Sequence, residues 1–243
     1  MFAAVLIILF VATLVRSAFG FGEALVAVPL LAFVMPVDQA APLAVLVSIT
    51  VAVVAIAQDW RHVQLHSAVR LVAATAVGTP IGLWALHGLD GRWVRLVLGV
   101  IVAAFSACSL LRRPRPWLGD DRHAWAFGFG AGMLGGAYGM NGPPLVVYGA
   151  LRGWSPRHFR ATLQGYFLPA SLMTAAGYAL TGLWTPVVTR CYVQALPVLA
   201  LAIPLGRWLN RRLSAAMFVR CVHAGLIGVG ALLVAQSRGW LGR

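Results

Sequence analysis

Arg16 and Glu23 stand seven residues apart in "RSAFGFGEA", deep in an apolar run, and Glu23 is the only glutamate of the chain. A charge at bilayer depth is costly unless it is paired, hydrated or protonated. One chemistry open to these residues is a static ion pair. Seven residues are two helical turns, so a continuous helix would put both side chains near one face. A second is proton carriage. Burial favours the neutral carboxyl and a neighbouring anion favours it further, so proton and anion binding would be coupled at Glu23 with Arg16 beside it. In a third reading Glu23 caps the helix that begins behind it and does no chemistry.

The stretch between them is broken by Gly20 and Gly22, and a second break, "GGAYGMNGPP" at 135–144, resembles it. Phe19-Gly20 matches Tyr138-Gly139, and Gly22-Glu23 falls on Asn141-Gly142, 119 positions later. Glycine and proline interrupt the backbone ladder, which lipid tolerates only where the freed groups are buried in protein or line a cavity. A half-helix starting at such a break points its amides and its dipole at that cavity, which favours an anion. Two breaks meeting near the midplane would make a symmetric anion site. Its candidate residues are Gly20, Gly22, Gly139, Asn141, Gly142 and Pro143, with Glu23 and Arg16 for proton coupling. Asn141 can offer two donors without adding charge, or cap its half-helix. Pro143 and Pro144 suit a first helical turn. The plainer reading is that the glycines serve close helix packing.

Other polar residues carry less. Arg70 and Gln194 line a pathway or lie at the membrane surface, the surface being favoured for Arg70. Gln164, Tyr166, Ser171 and Thr174 add polarity to one segment, where hydroxyls commonly bond the backbone or a neighbour. His62 and His66 have the spacing of two zinc ligands without a third. No nucleotide-binding, zinc-protease or serine-hydrolase motif is present, and no cofactor is expected. Cys108, Cys191 and Cys221 lack metal spacing, and an odd count argues against a disulfide framework.

The elements that position these residues are membrane segments. The chain is 60% hydrophobic and 10% charged, where soluble domains carry about 25% charged residues. Apolar stretches fall at 2–34, 39–58, 67–86, 93–111, 124–151, 161–183, 187–206 and 215–235. All nine tryptophans lie at or near their ends, as expected at the water interface. Too little polar sequence remains for a soluble domain, so residues 1–243 read as one all-α polytopic membrane domain of eight segments. Met1 opens the first apolar run without a basic leader, so no cleaved signal is read. The net charge of +13 comes from arginines between the segments, which reads as membrane topology rather than nucleic-acid binding.

Pro80, Gly82 and Trp84 match Pro204, Gly206 and Trp208, 124 positions later. With the matched breaks this gives two homologous halves, 1–115 and 122–240, joined by "RRPRPWLGDDRH". If every segment spans, the loop arginines divide nine to nine. If segments one and five re-enter at their breaks, they divide thirteen to five, each half crosses three times, and the halves are inverted repeats. The arginines favour the second arrangement, and a broken helix that spans stays open.

Paired halves that each open on a glycine-rich break resemble the sulfite exporter TauE/SafE family. The resemblance covers nearly the whole chain and rests on "FGFGEALVAVPLL", "GFGAGMLGGAYGMNGPPLVVY" and "SPRHFRATLQGYFLPAS". It implies a multi-pass protein of the bacterial inner membrane that moves small sulfur anions such as sulfite and sulfonates, with Gly20, Gly22, Gly139 and Gly142 as motif glycines. The chain departs from the pattern at Glu23, where the first motif has glycine. The implied partners are a small anion and the lipid bilayer. The small-residue face "GAGMLGGAYG" packs within the chain or between two copies in a homodimer. Two other readings stand beside a transporter: an intramembrane enzyme acting on a lipid phosphate, which would need paired acids and a Ser/Arg clamp, and a non-transporting subunit of a larger complex.

Overall fold

The computed structural model describes residues 2–59, 65–111, 118–154, 156–212 and 215–237. Among them are ten α-helices and no strand: α1 (Phe2–Phe19), α2 (Glu23–Leu31), α3 (Val37–Asp59), α4 (Leu65–Gly88), α5 (Gly91–Leu111), α6 (Ala124–Tyr138), α7 (Gly142–Leu151), α8 (Pro156–Leu180), α9 (Pro186–Arg212) and α10 (Ala215–Ser237). Five helices among the described residues are long and apolar enough to cross a membrane: α1, α3, α4, α5 and α9. The first and fifth apolar stretches are each divided in two, into α1 with α2 and α6 with α7.

The divisions fall at glycines. Gly20 (φ 83°), Gly22 (φ 96°) and Gly139 (φ 66°) are left-handed, a conformation that costs other residues about 1–2 kcal/mol. The Gly20 amide still closes on the Arg16 carbonyl at 2.6 Å, and the Gly139 amide on the Gly135 carbonyl at 2.7 Å. Each first helix therefore ends with its last carbonyls partly satisfied, and the chain leaves in a new direction.

The packing is dominated by α4 with α6, α5 with α10 and α1 with α9, and α8 packs on both α4 and α3. Three of these contacts depend on missing side chains, and a Cβ at Gly206 of α9 would stand 2.6 Å from the Leu14 carbonyl oxygen on α1. A Cβ at Gly132 or Gly136 would run into the backbone of Thr75 or Thr79 on α4, and one at Gly78 or Gly82 into α6. The small-residue face of α6 is thus used inside the chain. On α5 and α10, Gly99 and Gly230 face each other, and a Cβ on either would stand 2.7 Å from the other's carbonyl oxygen. Lipid-like packing has little hydrophobic drive, so such close approach supplies the attraction.

The outer surface is apolar. Ile7, Val69, Val77, Leu180 and Leu201 are all more than half exposed, as a lipid-facing shell requires. Trp84, Trp93, Trp125, Trp184 and Trp208 are exposed near helix ends, while Trp60, Trp117 and Trp240 lie outside the described residues.

Candidate anion site at the paired glycine breaks

The two breaks meet. A small cavity is lined by Phe21, Gly22, Glu23, Ala24 and Leu25 from the first, and by Gly139, Met140, Asn141, Gly142 and Pro143 from the second. Arg16 on α1, Ser48 on α3, Phe105 on α5, and Phe167 and Ser171 on α8 complete it. Its volume is about 20 Å³, room for about one water. Of the eight candidate residues only Gly20 is not in the wall. It holds the turn that delivers Gly22.

Arg16 and Glu23 form an ion pair, Nη1 to Oε2 at 2.8 Å, with side chains 8% and 1% exposed. The helix between them is not continuous, which corrects the two-turn argument. The pair closes across the turn at Gly20 and Gly22 instead. The same Arg16 nitrogen donates to Ser48 Oγ at 2.5 Å, and Ser171 Oγ donates to Ser48 Oγ at 3.4 Å. The guanidinium carbon lies 4.8 Å from the centre of the Phe167 ring, within reach of a cation–π contact. One cation is therefore held by a carboxylate, a hydroxyl and a ring face, each from a different helix.

Glu23 and Asn141 stand at the helix starts that the capping readings require, without a side-chain capping bond. The N-cap of α2 is Gly22 and Glu23 is its first residue, with no side-chain capping bond. Asn141 does occupy the N-cap of α7, again without a capping bond. Pro143 and Pro144 sit in the first turn of α7, as expected. Two polar atoms in the wall lack an ordinary hydrogen bond: Glu23 Oε1 and Asn141 Nδ2. The Tyr166 hydroxyl lies within interaction range of Asn141 but is engaged with Thr75 Oγ1 at 2.6 Å.

Residues outside the cavity sort differently. Arg70 and Gln194 are exposed on the outside of α4 and α9 and line no part of the cavity. Thr174 bonds the Ala170 carbonyl. His62, and the side chains of His66, Gln164 and Cys221, lie outside the described residues. Cys108 and Cys191 are free. Ser48, Phe105 and Phe167 were not singled out from sequence. Ser48 had one signal, a hydroxyl alone in "LAVLVSI"; the two phenylalanines had none.

The model of the family described as sulfite exporter TauE/SafE matches residues 5–233. The chain belongs to the sulfite exporter TauE/SafE family. It is similar to a probable sulfite/organosulfonate exporter TauE of Cupriavidus necator, 26% identical over 227 residues that cover 90% of this chain and 87% of the relative. No solved structure matches. TauE/SafE proteins are exporters and not enzymes. Membership and the apolar helices together make the chain a multi-pass membrane protein of the bacterial inner membrane and a transporter of anions.

Proposed function

We propose that the chain is a proton-coupled secondary transporter of a small sulfur-containing or carboxylate anion, with sulfite and short sulfonates as the first substrates to test. The observation that carries this reading is the meeting of both glycine breaks and the Arg16–Glu23 pair in one small cavity. The α7 N-terminus opens on it with no acid in its first turn; Pro143 and Pro144 carry no N–H there, so the Gly142 amide and the helix dipole are what it offers an oxyanion. Arg16 supplies the formal positive charge. The C. necator relative, called a probable sulfite/organosulfonate exporter, supports the substrate class.

Glu23 is the reason to couple protons. An ionised carboxylate 4 Å from a bound anion costs about 4 kcal/mol at an effective dielectric near 20, a loss of roughly a thousandfold in affinity. Protonation removes that repulsion. In this reading Glu23 is the proton carrier, Arg16 its counter-charge, and Gly22, Gly139, Asn141, Gly142 and Pro143 the anion cradle.

The halves 1–115 and 122–240 are proposed to be inverted repeats. The packing supports the repeat: exchanging α1 with α6 and α4 with α9 turns the α4–α6 contact into α9–α1, and maps α5–α10 and α3–α8 onto themselves, while the inversion rests on the arginine distribution. Gly82 packs on α6 as its counterpart Gly206 packs on α1.

Flux of labelled sulfite and small sulfonates in proteoliposomes, under an imposed pH gradient, tests the proposal. Uptake that follows the gradient in wild type and ignores it in Glu23→Gln is expected. Equal, pH-independent uptake by both would reduce Glu23 to a structural partner of Arg16.

A further inference from the structure

We propose that proton and anion cross together, one proton with each single negative charge, so that transport by this chain is electroneutral co-transport and selects monoanions. This rests on the reading of the cavity as the anion site and fixes what that reading leaves open: the sign of the coupling, its stoichiometry and the charge of the substrate.

The argument is one of charge conservation in a buried space. Among the described residues the cavity wall contains one base and one acid, Arg16 and Glu23, with formal charge zero when both are ionised. Both side chains are buried, and net charge is disfavoured there. A bound monoanion makes the total minus one. Arg16 cannot compensate, because guanidinium is always protonated. Glu23 compensates by taking one proton.

Among the described residues, the groups facing Glu23 from each neighbouring element add no other charged side chain to the cavity wall. Arg16 comes from α1, Ser48 from α3, Asn141 from the second break, and Ser171 from α8. From α5 comes Phe105, with His223 of α10 packed edge-on behind its ring and bonded to Ser106. The α7 N-terminus adds about half a positive charge to every form, which attracts the anion without balancing it.

Geometry says where the proton sits. Oε2 of Glu23 is taken by Arg16, while Oε1 has no partner. A proton on Oε1 needs an acceptor, and an oxyanion drawn to Arg16, once the cavity widens to admit it, is placed to be one. Each ligand therefore raises affinity for the other, reciprocally. The empty and doubly loaded forms are both neutral, whereas proton alone or anion alone leaves the site charged. Only the neutral forms pass readily between the two faces, so anion and proton move in the same direction. A dianion leaves a residual charge and is rejected.

The test uses wild-type protein in liposomes loaded with ethanesulfonate, a monoanion whose charge is fixed over the working pH range, with a luminal pH dye and the potential clamped by valinomycin and potassium. An outward sulfonate gradient should make the lumen alkaline, with one proton lost per sulfonate, at a rate unchanged by either sign of clamp. Ethanedisulfonate should move at least tenfold more slowly. Glu23→Gln, whose empty site keeps the Arg16 charge, should lose net efflux together with the pH change and retain only exchange of labelled for unlabelled ethanesulfonate, whereas Glu23→Asp should keep the coupling. Acidification of the lumen, or wild-type flux that follows the clamp without a pH change, overturns the inference and leaves the transport reading intact. Equal rates for the disulfonate overturn the monoanion rule. No wild-type sulfonate flux under any gradient overturns the transport reading, and the inference with it.

Discussion

The Arg16 guanidinium reaches Glu23 at 2.8 Å across a left-handed turn, from the last turn of one helix to the first residue of the next. The pair is therefore a clasp on the break as well as a feature of the cavity. Breaking a buried pair by removing one partner costs about 3–5 kcal/mol, whereas replacing both with apolar residues is often neutral. Arg16→Ala should unfold well below wild type in detergent. A double variant, Arg16→Met with Glu23→Leu, should regain most of that loss and still carry no anion. A double variant as unstable as Arg16→Ala would show that the pair is not what fixes the turn.

Ser48 and Ser171 should separate by function. Ser48 bonds the guanidinium directly and Ser171 only touches Ser48. A hydrogen bond to a charged group is worth about 1.5–3 kcal/mol. Ser48→Ala should weaken half-saturation for the transported anion by about tenfold or more, and Ser171→Ala by clearly less. Concentration dependence of initial flux gives both values, and equal effects would argue that the two hydroxyls act as one unit.

The glycines of α6 should fall into two classes. Gly130 has nothing within 4 Å of an added Cβ, whereas Gly132 and Gly136 meet the α4 backbone. Gly130→Ala should be neutral or gain up to about 1 kcal/mol of helix propensity. Gly132→Ala and Gly136→Ala should each lose about 1–3 kcal/mol. Thermal unfolding of the purified protein ranks them, and a stable Gly136→Ala would mean that α4 and α6 can move apart freely.

Topology is open to a direct measurement. Inverted halves put the 112–123 linker in the cytoplasm and the C-terminus in the periplasm. Alkaline phosphatase fused after Arg243 should be active and fused after Arg113 inactive. A cytoplasmic C-terminus would remove the support that the arginine distribution gives to inversion.

Both breaks were legible in the sequence because glycine-rich runs that also serve helix packing recur there at a fixed spacing, the second followed by a pair of prolines, and that match singled them out. The pairing of Arg16 with Glu23 was legible too, though for an incomplete reason: it relied on helical periodicity where the chain turns. Ser48 and Phe167 were not legible as site residues. They enter from α3 and α8, and only tertiary packing brings those helices to Arg16. A serine or phenylalanine in a membrane segment has many ordinary roles, and local pattern cannot separate them from this one.

The cavity has room for about one water. Protons hop along continuous files of waters, and a single molecule among Phe21, Phe105 and Phe167 is not a file. Under the proposed coupling a proton crosses this site only in company with an anion. A cell could then hold many copies of the protein in its energised membrane without a proton leak, and each anion exported would carry one proton out with it.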